Sequence, residues 1–257
     1  MSDVDSRLAA RARELLGRRP VLVALDFDGV LAPIIDHPPA ARALPGTPGL
    51  LADLADFDGV HVALVSGRAL DSLRAAAEVP SGSRLLLVGS HGAEVDGVPL
   101  ELDIAATQRR EALRDAFERI AADHPGVHVE TKPAGVVLHT RLAERGSASE
   151  ATTAALAAAD RPGCHVTRGK EVVEVSVVET GKGIALTRLR DQLGAVGVLY
   201  AGDDVTDENA FAVLGEDDVA IKVGDGETVA TWRLADPAAV QSLLRSLVAD
   251  GLDTSPR

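Results

Sequence analysis

The chain has 257 residues, 46% of them apolar, which is enough for one large domain or two modest ones with a sizeable core. Its 39 Asp and Glu against 26 Lys and Arg give a net charge of −13, and such a field repels nucleic acid and anionic lipid. The single cysteine, Cys164, excludes an internal disulfide; with no basic leader and no apolar stretch of about 18 residues, a cytoplasmic chain is expected, neither secreted nor membrane-spanning.

In chain order, residues 21–26 (Val-Leu-Val-Ala-Leu-Asp) form a short apolar run ending in an acid, the signature of a strand buried on both faces. The same signature recurs at Val60–Val65, Arg84–Val88, Val196–Tyr200 and Val219–Val223. Helical patterns fall between these runs at Thr47–Phe57, Ala69–Glu78, Gly181–Leu193 and Thr206–Leu214, and Pro237–Val248 closes the chain. Thr47 followed by Pro48 predicts an N-cap with proline at the first helical position. The alternation predicts an α/β fold with a doubly wound parallel sheet.

The middle of the chain has a different pattern. Thr107–Ala122 predicts a charged amphipathic helix, and Val127–Thr131 and Gly135–Arg141 predict two short strands about Lys132-Pro133-Ala134. Ser147–Ala159 predicts an Ala-rich helix, and His165–Arg168 with Glu171–Val177 a hairpin over Gly169-Lys170. Helix–strand–strand, twice, is an open α+β module. It is expected as an insertion at residues 102–178 in a discontinuous core of residues 1–101 and 179–257.

Three strand ends carry the polar residues of interest. Asp26 and Asp28, just past the first strand, sit where open α/β sheets bind ligands, although Asp and Gly also form plain solvated turns. Ser66-Gly67, after the second, offers a hydroxyl and backbone N–H groups to an anion, or simply caps a helix. Asp203, Asp204 and Asp207 follow the fourth run and would repel one another without a cation or a proton between them. An all-oxygen set with no His or Cys cluster points to Mg²⁺ rather than zinc. Lys182 opens the helix before that run. Together these residues describe a site for a phosphoryl group with a metal to balance the carboxylates.

The order of motifs resembles the haloacid dehalogenase superfamily of phosphohydrolases, and within it the trehalose-6-phosphate phosphatase branch. Asp26-Phe27-Asp28-Gly29-Val30-Leu31, Val65-Ser66-Gly67-Arg68, Lys182 and Gly202-Asp203-Asp204-x-x-Asp207 match the four superfamily motifs. Gly89-Ser90-His91-Gly92-Ala93-Glu94 and Gly202 through Phe211 are the branch-specific strings. The resemblance implies a nucleophile at Asp26, an acid and base at Asp28, and Mg²⁺ held by Asp26, Asp28 (through its carbonyl) and Asp203. It also implies a phosphate grip from Ser66, Gly67 and Lys182, with Asp204 and Asp207 in support. The inserted module becomes a cap whose Glu130, Lys132, Arg141, Lys170 and Glu174, together with His91 of the core, read a sugar. Val30 departs from the family's usual Thr, which keeps a main-chain role and loses a hydroxyl contact. The implied reaction is hydrolysis of trehalose 6-phosphate, with a sucrose, glucosylglycerate or hexose phosphate as the alternative substrate. The expected partner is thus a small sugar phosphate, not nucleic acid or a membrane, acted on by a monomer.

Overall fold

The computed structural model describes residues 3–35, 37–98 and 101–249. In chain order it forms α1 (Asp3–Leu16), β1 (Val21–Leu25), α2 (Thr47–Ala55), β2 (Val60–Val65), α3 (Leu70–Ala76), β3 (Leu86–Gly89) and β4 (Glu94–Val95). There follow α4 (Ile104–Asp123), β5 (His128–Lys132), β6 (Gly135–His139), α5 (Arg145–Ala159), β7 (His165–Gly169) and β8 (Val172–Ser176). The chain ends with α6 (Lys182–Leu193), β9 (Gly197–Gly202), α7 (Val205–Phe211), β10 (Val219–Val223), β11 (Trp232–Leu234) and α8 (Pro237–Ala249). Two compact units result: Met1–Asp96 with Gly181–Arg257, and Gly97–Thr180. Among the described residues no helix is long and apolar enough to cross a membrane.

The first unit holds a seven-stranded sheet in the order β11-β10-β9-β1-β2-β3-β4, parallel except for the β3–β4 pair at one edge. Strand side chains alternate between faces. Val21, Val23 and Leu25 of β1 accordingly join a core with α1, α2, α3 and α8, while Leu22 and Ala24 join another with α6 and α7. Both faces are covered, which is why β1 reads as an unbroken apolar run. The chain moves outward from β1 through β2 and β3, then returns to its other side with β9 and β10. β1 therefore marks the reversal of strand order, the place where open sheets of this kind hold ligands.

The second unit is a four-stranded antiparallel sheet, β5-β6-β8-β7, packed on α4 and α5. Val136, Leu138, Val173 and Val175 face the helices, and Phe117 of α4 is fully buried among them. The other face carries the cross-strand row Glu130, Val137, Glu174 and Thr167. Lys132 and His139 share that face, because alternate residues of one strand point the same way.

Local details differ from the sequence expectations. Gly46, in the left-handed region at φ 86°, caps α2; Thr47 is its first residue and is buried, and its hydroxyl accepts a hydrogen bond from Gln241 at 2.9 Å. The hairpin between β7 and β8 turns over Lys170-Glu171 rather than Gly169-Lys170, since Gly169 is already paired with Val172. Helix α4 starts at Ile104, not Thr107, because the Asp103 carboxylate accepts from the Ala106 N–H at 2.6 Å. Helix α1 and the short β4 and β11 lie outside the predicted elements; α1 still buries Leu8, Ala12, Leu15 and Leu16 at helical spacing.

The small core of the second unit depends on Phe117, so Phe117→Ala should cost that unit about 3–5 kcal/mol. Hydrogen exchange of the β6 and β8 amides checks this. Unchanged protection in the variant would show that α4 is not what holds the sheet.

Candidate active site

Asp26 follows β1 directly, and its N–H donates to the Ala201 carbonyl of β9 at 2.9 Å. Its buried carboxylate accepts from the Phe27 N–H at 2.6 Å through Oδ1 and from Lys182 Nζ at 2.5 Å through Oδ2. Lys182, only 2% exposed, opens α6 and also donates to Asp207 Oδ1 at 2.7 Å. One ammonium thus spans two carboxylates. Burial pushes Asp26 up to about 7; Lys182 pulls it down, and the charges of Asp207 and Asp203 add to the upward shift. Burial would lower Lys182, but Asp26 and Asp207 outweigh it and hold the ammonium well above its ordinary pKa.

Asp207 sits on the first turn of α7 as one half of a capping box with Asp204. Its Oδ1 accepts from Lys182 and from the Tyr200 hydroxyl, the latter at 2.6 Å. Its Oδ2 accepts from the backbone N–H groups of Asp203 and Asp204, both at 2.9 Å. A carboxylate has about four lone-pair positions, and all are filled here. Asp203 is half-buried, and burial followed by the charge of Asp207 pushes its carboxyl up to about 6.

One oxygen from each of Asp26, Asp203 and Asp207 falls within 4.8 Å of the others. With the oxygens of Asp207 committed, a cation at this place would rest on Asp26 and Asp203. The donor set is all carboxylate, suited to a hard ion such as Mg²⁺, and a cation would relieve the repulsion that adds to the upward shift that burial gives both carboxyls. Gly29 shows how tightly the loop closes on this place. It adopts φ +74°, and a Cβ there would lie 2.1 Å from Asp203 Oδ2.

Asp28 is held differently. Its Oδ1 and Oδ2 accept from Arg68 Nη2 at 2.7 Å and Nε at 2.6 Å, and the Arg68 side chain is only 9% exposed. Arg68 also lies 5.2 Å from the Phe27 ring centroid and donates to the Pro38 carbonyl at 2.7 Å. Ser66 is buried at the end of β2, where its hydroxyl accepts from the Arg68 N–H at 3.3 Å. Gly67 leaves room for the His91 imidazole, whose Cε1 and Nε2 would lie 2.6 Å from a Cβ at that position. His91 belongs to a left-handed turn in which the Ser90 hydroxyl donates to Glu94 at 2.5 Å. The Val30 side chain is buried in the apolar core.

The sugar-site candidates of the inserted segment gather on and beside the polar sheet face of the second unit. Lys132 Nζ donates to Glu174 Oε1 at 3.0 Å, and His139 Nε2 lies 2.9 Å from Glu130 Oε2. The hydrogen bond to His139 holds the Glu130 carboxyl below its ordinary range. Arg141, just past β6, lies 3.5 Å from Glu171 Oε2 in the turn that also carries the exposed Lys170. Arg68, Tyr200 and Lys222 were not among the residues given site roles from sequence, although all three touch the predicted ones. A lone tyrosine and a lysine inside buried apolar strands were the available signals.

Tyr200→Phe should remove one donor from Asp207 and destabilise the protein by about 1–3 kcal/mol, because that carboxylate is fully buried and one of its lone pairs would lose its protein partner. Equilibrium urea denaturation tests this; a midpoint equal to the parent's would mean that the hydroxyl contributes nothing.

Residues 24–238 match the family described as trehalose-phosphatase. The trehalose-phosphate phosphatase of Mycobacterium marinum is 37% identical over 262 residues, covering 93% of this chain and 65% of that protein. The chain thus spans just under two thirds of that relative's length. A solved trehalose-6-phosphate phosphatase related protein superposes with a TM-score of 0.73 at 26% identity, over 91% of this chain and 100% of the other. The C-terminal domain of the C. albicans trehalose-6-phosphate phosphatase shares the fold, with a TM-score of 0.75 at 21% identity over 95% and 96% of the two chains. The family match runs through both units and takes in every carboxylate of the cluster, so the chain belongs to the trehalose-phosphatase family.

Proposed function

We propose that the protein is a Mg²⁺-dependent phosphatase that hydrolyses trehalose 6-phosphate to trehalose and inorganic phosphate through an aspartyl-phosphate on Asp26. The observation that carries this reading is the buried Asp26 carboxylate at the sheet's point of reversal, facing Lys182 and flanked by Asp203. A carboxylate nucleophile splits one difficult displacement into two easier ones. Asp26 attacks phosphorus, the bond to the sugar oxygen breaks, and that oxygen takes a proton from Asp28. Water then attacks the aspartyl-phosphate, gives its proton to Asp28, and releases phosphate with Asp26 restored. Both Asp28 oxygens are engaged by Arg68, so Asp28 must turn at least one of them out of that fork to hand a proton to the sugar oxygen. Mg²⁺, held by Asp26, Asp203 and the Asp28 carbonyl, would lower the repulsion between carboxylate and phosphate. Lys182, Ser66 and the Gly67 N–H steady the phosphoryl oxygens, and Asp207 aims Lys182.

On this reading the sugar is recognised by Glu130, Lys132, Arg141, Lys170 and Glu174, with His91 from the first unit. Fixed ion pairs present donors and acceptors in set directions, the requirement for reading hydroxyls. A panel of phosphorylated sugars, assayed for phosphate release with Mg²⁺, tests the assignment. Release from sucrose or hexose phosphates in preference to trehalose 6-phosphate would replace the substrate while keeping the chemistry. The expected setting is the cytoplasm, with the chain acting as a monomer.

Asp26→Asn should lower turnover by orders of magnitude, because enzymes accelerate phosphate-monoester hydrolysis by up to about 10²¹-fold and the amide is no nucleophile. Its effect on stability should run the other way. The Asp26 pKa is about 7 in the native state against 3.8 in the unfolded chain, so the native state binds the extra proton between those values. That stabilisation is complete below about pH 4 and is lost as pH rises through 7. At pH 8 without metal, the neutral variant should therefore melt no lower than the parent. Turnover near the parent's in folded Asp26→Asn would remove Asp26 from its role.

Arg141→Ala and Glu174→Gln should each lower kcat/KM on trehalose 6-phosphate at least tenfold, since an unmet charged partner costs about 1.5–3 kcal/mol. A small aryl phosphate uses only the first unit's chemistry and should lose far less. An unchanged ratio between the two substrates would make these side chains ordinary surface charges.

A further inference from the structure

A lysine in the middle of a buried strand has to be accounted for. Lys222 is the fourth residue of β10, a strand buried along its length, and is itself only 4% exposed. It pairs with Gly202 of β9, so its side chain rises beside the turn into Asp203. Its Nζ donates to the Asp203 carbonyl at 2.5 Å and lies 3.8 Å from Glu208 Oε1. The other oxygen of Glu208 accepts from the Val229 N–H at 3.0 Å and the Thr228 hydroxyl at 3.3 Å.

Asp203 is thus held from both sides of its own backbone: its N–H donates to Asp207 and its carbonyl accepts from Lys222. Fixing both ends of one residue leaves its side chain few directions to take. We propose that Lys222 is a positioning residue of the cation site, clamping the Asp203 main chain so that its carboxylate faces Asp26. This rests on the divalent-cation reading above and deepens it.

Two effects of the lysine oppose each other. Its charge repels a nearby cation, so a charge-only role means that removing it tightens metal binding. Its hydrogen bond orders a ligand, so a positioning role means that removing it weakens binding. Groups that orient metal ligands in this way typically change affinity by about 10–100-fold. The sign of the change therefore separates the two roles.

The test is Mn²⁺ binding to substrate-free protein, followed by loss of the free-ion electron paramagnetic resonance signal, with Mg²⁺ as competitor. Lys222→Met should bind Mn²⁺ about tenfold or more weakly than the parent. Lys222→Arg keeps charge and donors and should recover most of that loss. Unchanged or tighter binding by Lys222→Met overturns the inference, and tighter binding leaves the lysine a neutralising charge. If Lys222→Met does not fold, Lys222→Leu, which likewise has no donor, is titrated instead; weaker binding supports the clamp and equal or tighter binding overturns it. A parent that binds no Mn²⁺ overturns the cation reading itself, an outcome distinct from a parent that binds and a variant that binds equally well.

Discussion

One ammonium, that of Lys182, is buried between Asp26 and Asp207, and the arrangement of the first unit depends on it. The arrangement is unequal. Lys182 faces two carboxylates and keeps its proton firmly, while Asp26 shares that ammonium with Asp207 and also feels Asp203. Buried ion pairs of this kind are weak devices for stability, since desolvation consumes most of the attraction. The cluster carries more acid than base, and on the proposed reading that excess is what recruits a cation and leaves one carboxylate reactive.

The parallel sheet makes the arrangement possible. Leu25 of β1 pairs with Leu64 of β2 and with Ala201 of β9, so three strands reach their carboxyl ends at nearly the same height. The residues that follow, Asp26, Ser66 and Asp203, are brought together from positions far apart in the chain. Helices α6 and α7 then deliver Lys182 and Asp207 from their first turns. Placing charges at helix starts rather than on loops keeps them rigid, because each is tied to a backbone that is hydrogen-bonded along its length.

How much of this was legible follows from the range of each interaction. The β1 and β2 strands announced themselves because both their faces are buried, and Asp26 and Asp203 because acids at strand ends need a reason. Glu130, Lys132 and His139 share one face of the second sheet, and Arg141 lies just past the strand. The Arg68 grip on Asp28 spans 40 positions and two strands, and no local pattern encodes it. Tyr200 and Lys222 are hidden for a similar reason. Each looks like an irregularity in an apolar run until neighbouring strands put a carboxylate or a carbonyl within reach. Thr47-Pro48 misled in the opposite way, because Gly46 in a left-handed conformation makes the cap and frees Thr47 to bond with Gln241 of α8.

On the proposed reading the two units also divide the chemical problem. On that reading the phosphoryl group is handled by Asp26, Ser66, Lys182 and Asp207, all buried, with the half-buried Asp28 and Asp203 beside them. The hydrogen bonds among the carboxylates and Lys182 leave their geometry little room to vary with substrate. The polar face of the second unit is built from paired charges: Glu130 with His139 on the adjacent strands β5 and β6, and Lys132 with Glu174 reaching across β6 from β5 to β8. The exposed Glu130–His139 pair contributes little to stability, so those two positions can change without loss of fold. A sheet face of this kind is free to specialise, since an unmatched hydroxyl next to an oriented carboxylate is penalised far more strongly than a surplus methylene. On the proposed reading, the reaction is fixed by the buried carboxylates of one unit and the identity of the sugar by the replaceable charges of the other.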